Sequence, residues 1–306
     1  MSWKRFGVGI LLLLAGAYFL LFVQDPMPAR TDVAIDWARV RSLAGEPSAG
    51  PRSIGSEVVA RGRFFGWMVC AGCGWGEVPM EFRTYQLRWG DGRSVVIDAV
   101  HGADLHGSMP MLKDHDGAAF ARQTEAIRSA DATVLTHEHW DHANGLRAVV
   151  DDPAVRSKIQ LPAAQRESAA IREAGFSEAE LASLPAIPDA DYRAIAAGVV
   201  AIAMPGHTPG SQVFYVRRAD GAEYLFLGDI VWNARNLRER RGKGRLISAV
   251  AGEDAGAVLS QIAFFADLWA GASAGYPDFH FVVAHDPENN RALLDAGWIE
   301  QGLLLP

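Results

Sequence analysis

Three histidines and one aspartate within six positions are the residues of this sequence best suited to chemistry. His137, His139, Asp141 and His142 form the pattern His-x-His-x-Asp-His. An extended backbone would project the side chains at 137, 139 and 141 to the same side. Imidazole nitrogens and carboxylate oxygens are ligands of zinc and related divalent metals. The pattern therefore predicts a metal site.

Three further candidate ligands lie far downstream, at His207, Asp229 and His285. Each candidate group directly follows a short run of β-branched or apolar residues that predicts a buried strand. These four runs are residues 132–135, 199–204, 223–227 and 279–284. Because open α/β sheets carry their sites at the carboxyl ends of strands, we expect all seven side chains to converge.

The order of these motifs resembles that of the metallo-β-lactamase-fold hydrolase superfamily. The matching segments are His-x-His-x-Asp-His, Pro-Gly-His-Thr-Pro-Gly-Ser at 205–211, Gly-Asp at 228–229 and His-Asp at 285–286. The resemblance covers the chain from about Val58 to the end. It implies an α/β fold, a four-layer αββα sandwich of two mixed β-sheets flanked by helices.

The resemblance also implies how the ligands divide between two metal ions. The first ion would be held by His137, His139 and His207, and the second by Asp141, His142 and His285. Asp229 would bridge both ions through its two oxygens. Asp98, after a strand predicted at 94–97, would orient the metal-binding imidazoles through hydrogen bonds to their other nitrogen.

This ligand set predicts two Zn²⁺ ions, although Mn²⁺ or Fe²⁺ would accept the same donors. Two such ions would lower the pKa of a shared water toward ~7. The resulting hydroxide would attack a carbonyl carbon, with Asp141 taking or shuttling the proton. We therefore expect a dinuclear, metal-dependent hydrolase that acts on a small carboxylic ester, lactone or thioester.

Several other functions fit parts of the pattern. Hydrolysis of a β-lactam or a phosphodiester is the alternative within the same fold, although true β-lactamases of the superfamily have cysteine or no ligand at the position of Asp229. A mononuclear-iron sulfur dioxygenase would use a subset of the ligands. A membrane-tethered binding protein would carry a vestigial site. The net charge of −7 argues against a nucleic-acid partner, so we expect a small-molecule substrate.

The N-terminus carries a second signal. Lys4 and Arg5 precede an uncharged, mostly apolar run at 6–23. As a helix this run would be about 27 Å long, just short of a ~30 Å hydrocarbon core. We expect a transmembrane anchor in a bacterial inner membrane, with the catalytic domain in the periplasm. The small residues at 15–17 leave a cleaved signal peptide, and hence secretion, as the alternative.

Length and composition predict one catalytic domain. The 306 residues are 49% apolar, enough to bury a sizeable core. We expect an anchor or signal segment at 1–25, a linker with a short helix at 26–56, and the metallo-β-lactamase-fold domain at 57–306.

The remaining candidate residues lie in loops. Cys70 and Cys73 are the only cysteines, and they lie in a glycine-rich loop. In an oxidising compartment we expect them to form a local disulfide. The candidate substrate contacts are Trp67, Trp75, His101 and His106. Core packing for the tryptophans and solvation for the histidines are the alternatives.

A basic segment at 232–245 follows Asp229 closely. It contains five arginines and Lys243, with Glu239 as its only acidic residue. We expect a solvated loop. Attraction of an anionic substrate or of lipid headgroups is the alternative.

Overall fold

Two β-sheets lie face to face in the computed structural model, which describes residues 3–271 and 279–305. The first sheet has the order β11-β1-β2-β3-β5, and β4 also pairs with β1. Its strands are β1 Ser53–Phe65, β2 Glu77–Arg88, β3 Ser94–Ile97, β4 Leu112–His115, β5 Ala132–Val134 and β11 Glu300–Gln301. The sheet is mixed, since β3 pairs in parallel with β5 while β2 is antiparallel to both β1 and β3.

The second sheet has the order β10-β9-β8-β7-β6 and is also mixed. Its strands are β6 Tyr192–Ala196, β7 Val199–Ala203, β8 Gln212–Arg217, β9 Glu223–Phe226 and β10 His280–Val282. The neighbours from β6 to β9 are antiparallel, and β10 lies parallel to β9.

Alternation along the strands builds three apolar layers. In β3, Val95 and Ile97 face the core between the sheets, whereas Val96 packs against the outer helices. In β7, Val199 faces the same central core and Val200 packs on the opposite outer face. Successive side chains of a strand point to opposite faces, so each sheet is buried on both sides. This confirms the predicted α/β fold of two mixed sheets flanked by helices.

Helices cover both outer faces. All helices of the described residues are α1 Trp3–Phe22, α2 Trp37–Ala44, α3 Gly66–Val69, α4 Ala103–His106, α5 Gly117–Ser129, α6 Trp140–Ala143, α7 Pro153–Arg156, α8 Ala163–Glu167, α9 Ala169–Glu173, α10 Glu178–Ser183, α11 Ala234–Arg238, α12 Arg245–Val250, α13 Ala255–Trp269 and α14 Pro287–Asp295, with 3-10 turns at Pro47–Ala49, Asn144–Ala148 and Gly228–Ile230. Helix α1 is largely exposed and does not cover a sheet. Helix α5 packs on the first sheet, and α2 and α13 pack on the second.

The expected membrane-spanning anchor is not borne out. No helix among the described residues is both long enough and apolar enough to cross a membrane. Helix α1 ends at Phe22, so the uncharged part of the helix, 6–22, is about 25 Å long against a ~30 Å hydrocarbon core.

The linker is tied to the second sheet. Its short helix begins at Trp37, where Asp36 caps it by accepting a hydrogen bond from the backbone N–H of Arg39. Trp37 and Val40 are buried in the outer core of the second sheet. The domain boundaries stay a prediction, and parts of the predicted segments, residues 1–2, 272–278 and 306, lie outside the described residues.

Candidate metal centre

The seven candidate ligands meet at the carboxyl ends of the strands. Strand β5 leads into His137, β7 into His207, β9 into Asp229 and β10 into His285. They form two sets, His137 with His139 and His207, and Asp141 with His142, Asp229 and His285. Within each set the donor atoms lie within 4.8 Å of one another.

Asp229 connects the two sets. Its Oδ1 lies 3.3 Å from His142 Nε2 and 3.1 Å from His285 Nε2. Its Oδ2 lies 3.5 Å from His207 Nε2 and 3.8 Å from His137 Nε2. One carboxylate oxygen therefore faces each set, which is the geometry of a bridging ligand.

Hydrogen bonds on the outer side of the imidazoles determine which nitrogens face inward. His142 Nδ1 lies 2.9 Å from Asp98 Oδ2, and His285 Nδ1 lies 3.1 Å from the backbone oxygen of Glu81. Because these oxygens are acceptors, each Nδ1 must donate. In the neutral rings, Nε2 then carries a lone pair directed at the centre, as a metal ligand requires.

The inward nitrogens of the second set have the spacing of two ligands on one cation, whereas the nitrogens of His139 and His207 are close enough for a hydrogen bond. His139 Nδ1 and His207 Nε2 are 2.9 Å apart, and the Nε2 atoms of His142 and His285 are 3.4 Å apart. Two nitrogens bound to one zinc at about 2.0–2.1 Å in tetrahedral geometry are about 3.3 Å apart. The buried atoms His137 Nε2 and Asp229 Oδ1 have no hydrogen-bond partner. The site therefore fits two divalent cations.

The two sets differ in their affinity for protons. Burial lowers the pKa of His137 well below its usual value, and burial together with neighbouring His207 lowers that of His139 to about 4. Burial also disfavours charge on His142, but Asp141, Asp98 and Asp229 outweigh it and raise the pKa. His285 is raised as well, against its burial, because of Asp229.

Close backbone packing holds the ligand loops in place. Asp98 adopts a left-handed φ of 63°, rare for a residue other than glycine, and its carboxylate accepts a hydrogen bond of 2.7 Å from the backbone N–H of Thr136. Gly228 has a φ of 53°, and a Cβ there would lie 2.9 Å from Thr136 Cβ. Only glycine lets the backbone at residue 228 pass this close to Thr136. This close contact places Asp229 next to the histidine motif.

An apolar cavity of about 290 Å³ opens over the metal-binding side chains. The ligands at its base are His139, Asp141, His207, Asp229 and His285. Its apolar wall consists of Phe64, Met68, Met80, Phe82, Met109, Met111, Trp140, Trp232, Ile247, Val250 and Ala251. A small apolar cavity with polar groups at one end is typical of a site for a small organic ligand.

The other candidate contacts lie outside the cavity, although His101 packs directly behind the wall residues Phe82 and Trp140. Trp67 and Trp75 pack against Phe22 at the end of α1, with ring centres 5.0 and 4.5 Å from the Phe22 ring. His101 is fully buried, and its Nε2 lies 3.2 Å from His106 Nδ1. None of these four predicted contacts lines the cavity.

A disulfide joins Cys70 and Cys73 next to the basic segment. Between them, the backbone N–H of Ala71 donates to the backbone oxygen of Gly242 over 2.8 Å. The disulfide loop therefore contacts the segment that follows Asp229.

Sequence reasoning missed three residues around the centre. Glu253 Oε1 accepts a hydrogen bond of 2.7 Å from His207 Nδ1. Lys243 is buried and donates to the backbone oxygen of Asp229, and Trp232 Nε1 donates to Asp229 Oδ2 over 2.6 Å. For Trp232 and Lys243, the available signal is their position in the segment 232–245 directly after Asp229; Glu253 has none.

The chain belongs to the metallo-β-lactamase superfamily, whose family model matches residues 84–268. This confirms the resemblance that the motifs carry. Family membership, together with side-chain groups that could hold metal ions, defines a metal-dependent hydrolase. No curated protein matched the sequence.

Solved structures of lactone hydrolases share the fold. An N-acyl homoserine lactone hydrolase, with the product N-hexanoyl-L-homoserine at its catalytic metal centre, is 16% identical with a TM-score of 0.61, covering 79% of this chain and 96% of that chain. A variant of AiiA from B. thuringiensis, with N-decanoyl-L-homoserine at its active site, is 17% identical with a TM-score of 0.61, covering 79% and 96%. AidC, a dizinc quorum-quenching lactonase, is 11% identical with a TM-score of 0.52, covering 79% and 92%.

Proposed function

We propose that this protein is a dinuclear zinc hydrolase of a carboxylic ester, lactone or thioester whose acyl group is apolar. The observation that carries the proposal is the bridging position of Asp229, with one oxygen in each ligand set, at the base of an apolar cavity. The ligand sets account for the ions, and the cavity wall accounts for the apolar acyl group.

The residues of the cavity would have different roles in hydrolysis. Two bound divalent cations would supply a lowered water pKa and an electrophile for the carbonyl oxygen. The apolar wall, including Phe82 and Trp140, would bind the acyl chain and exclude bulk water. The Asp141 carboxylate, with Oδ2 3.6 Å from both His142 Nε2 and His285 Nε2, would accept a proton and hold it at the cavity floor.

A lactone is our first choice among these substrates. Solved structures with the same fold include an N-acyl homoserine lactone hydrolase with its product at the catalytic metal centre, and an AiiA variant with N-decanoyl-L-homoserine at its active site. The many methionines in the wall support an apolar acyl chain, because flexible thioether side chains adapt to chains of different length. A mononuclear-iron dioxygenase would leave part of the ligand set unused, so the two complete sets favour two ions.

The test is turnover by the zinc-loaded protein on acyl homoserine lactones of four to twelve acyl carbons, with matched linear esters and thioesters. We expect zinc-dependent ring opening, a KM that falls as the acyl chain lengthens, and two zinc ions per chain. Chelator-treated protein is the control. Two bound zinc ions without turnover of any lactone, ester or thioester above that control would refute the proposal, and one iron per chain with oxygen uptake would favour the dioxygenase.

A further inference from the structure

Two charged side chains outside the ligand set are almost completely buried beside the metal centre. The side chains of Lys243 and Glu253 are 2% and 1% exposed, and their Nζ and Oε1 atoms form a direct salt bridge. Burying an ion pair costs desolvation free energy that the pairing often fails to recover. Stability alone is therefore a weak reason for this pair.

Each member of the pair is bonded to a different metal-binding residue. Glu253 Oε1 accepts a hydrogen bond of 2.7 Å from Nδ1 of His207, in the first ligand set. Lys243 Nζ donates a hydrogen bond of 3.1 Å to the backbone oxygen of the bridging residue Asp229. The ion pair thus connects a terminal ligand to the bridging ligand.

A second route leads from Lys243 to the Asp229 side chain. Lys243 Nζ lies 4.7 Å from the centre of the Trp232 ring, a cation–π contact. Trp232 Nε1 donates to Asp229 Oδ2 over 2.6 Å, on the oxygen that faces His137 and His207. Lys243 therefore supports Asp229 at its backbone directly and at its carboxylate through the indole.

We propose that Lys243 and Glu253 are a charge-balanced positioning pair that aligns His207 and Asp229 for metal binding. Glu253 fixes the tautomer in which His207 Nε2 is the ligand atom, and Lys243 fixes the orientation of the bridging carboxylate. Neither residue lines the cavity or belongs to either ligand set, so both act through other residues.

The partner of Glu253 fixes its charge state. Its Oε1 forms a direct salt bridge with the ammonium group of Lys243. Glu253 is therefore a carboxylate that can only accept, and His207 Nδ1 must donate to it. Removing such a partner from a metal-binding histidine typically weakens metal affinity 10–100-fold.

The inference rests on the proposed function for its catalytic consequence, but its test is read on metal binding. Replacing one partner would leave the other charge buried and unpaired, which unfolds many proteins. The first variant is therefore Glu253→Met with Lys243→Met, which removes both charges and fills a similar volume. The second is Glu253→Asp, which keeps both charges and withdraws the carboxylate from His207 by one methylene.

The measurements are zinc affinity by chelator competition and the visible absorption of the Co²⁺-substituted protein. We expect zinc affinity at one of the two sites to fall at least tenfold in the Met/Met variant and at least threefold in Glu253→Asp, with a shifted Co²⁺ spectrum in both. The matched control is Glu223→Met with Arg41→Met, a partly buried ion pair between strand β9 and helix α2. This control should leave affinity and spectrum unchanged.

A purely structural ion pair would give a different result. Zinc affinity within twofold of the parent and an unchanged Co²⁺ spectrum in Glu253→Asp, or in folded Met/Met protein, would overturn the inference. Tight binding of two zinc ions by a parent protein that hydrolyses no ester or lactone would refute the proposed function and leave the positioning pair untouched.

Discussion

Asp229 is the residue on which the dinuclear interpretation depends, because its two oxygens face different ligand sets. The substitution Asp229→Asn removes the negative charge and leaves one carbonyl oxygen. We expect bound zinc to fall from two ions to one or none, and kcat/KM to fall at least about 100-fold. Loss of a residue that only hydrogen-bonds to a metal ligand typically lowers metal affinity or activity 10–100-fold, and loss of a bridging ligand should cost at least as much. Elemental analysis and lactone turnover measure the two effects.

The control for this substitution is Asp220→Asn. Asp220 lies at the exposed turn between β8 and β9, and its carboxylate pairs with Arg218. The same chemical change there should leave zinc content and turnover at parent values. Two zinc ions in the Asp229→Asn protein would mean that a different group bridges the site.

The opposite pKa shifts of the two histidine sets predict a stepwise loss of metal on acidification. In the metal-free protein the pKa of His142 lies above 6.5, held up against burial by Asp141, Asp98 and Asp229, so a cation must displace its proton near neutral pH. The pKa of His137 lies well below 6.5 because of burial, so that ring stays neutral as the pH falls. Metal should therefore leave the set with His142 first.

Dialysis at pH values from 8 to 5, followed by elemental analysis, checks this order. We expect an intermediate with about one ion per chain, held by His137, His139 and His207. The Co²⁺ absorption of the intermediate should match that of a His142→Ala variant, which lacks the proton-competing ligand. Simultaneous loss of both ions would contradict the prediction.

At the scale of single residues, the sequence predicted the candidate ligands and one of their supports, Asp98, but not Glu253 or Lys243. The seven ligands follow strands whose apolar runs are visible in the sequence, and Asp98 ends one of them. Glu253 and Lys243 lie in the loops that flank α12, 46 and 36 residues after His207 in the chain. No sequence pattern marks Glu253, and Lys243 was predicted only as part of a basic segment. Their burial depends on how α12 packs against the ligand loops. The interpretation of the basic segment as solvated was wrong for Lys243.

Among the elements, a hydrogen bond from the backbone to a nearby side chain explains where one helix ends and the next begins. Residues 163–173 form two helices, α8 and α9, instead of one, because Ser168 is extended and its side chain accepts a hydrogen bond from the backbone N–H of Ala170. This local hydrogen bond caps a new helix at the expense of a continuous one. The structure contains the strands predicted before the candidate ligands. Their continuous apolar runs are typical of strands that are buried on both faces.

The disulfide loop is an element whose contribution can be measured. Cys70 and Cys73 close a very short ring, for which the loop-entropy estimate is about 2 kcal/mol. The variant Cys70→Ser with Cys73→Ser should lower the free energy of unfolding by about that amount in urea. Zinc content should change little, because neither cysteine touches a ligand of either metal set.

Reduction of the parent protein provides the control for the serine variant. A reductant without metal affinity should lower the stability of the parent to that of the variant and leave the variant unchanged. A parent whose urea midpoint is the same with and without reductant would show that the loop is held by its contacts to Gly242 and Arg241 instead of the disulfide.

For the whole molecule, helix α1 is the feature that a compact two-sheet domain does not account for. Most of its apolar side chains are exposed to solvent. Those of Leu11, Leu12, Leu13 and Leu14 are between 62% and 75% exposed. Monomeric proteins rarely expose a contiguous apolar surface of more than a few hundred Å². At the other end of the helix, Phe22 and the segment after it contact the catalytic domain, where Arg245 pairs with Asp25.

This division predicts that α1 governs association and not catalysis. In water we expect the full chain to self-associate or to take up detergent, because the exposed leucines require an apolar cover. A chain that starts at Val23 keeps the Asp25–Arg245 pair and should be monodisperse by light scattering, with two zinc ions and with turnover within about threefold of the full chain in detergent. Replacing Leu11 and Leu13 by glutamate in the full chain is the matched test of the surface itself. Monodisperse full chain without detergent, or loss of zinc on truncation, would mean that α1 is part of the folded catalytic domain.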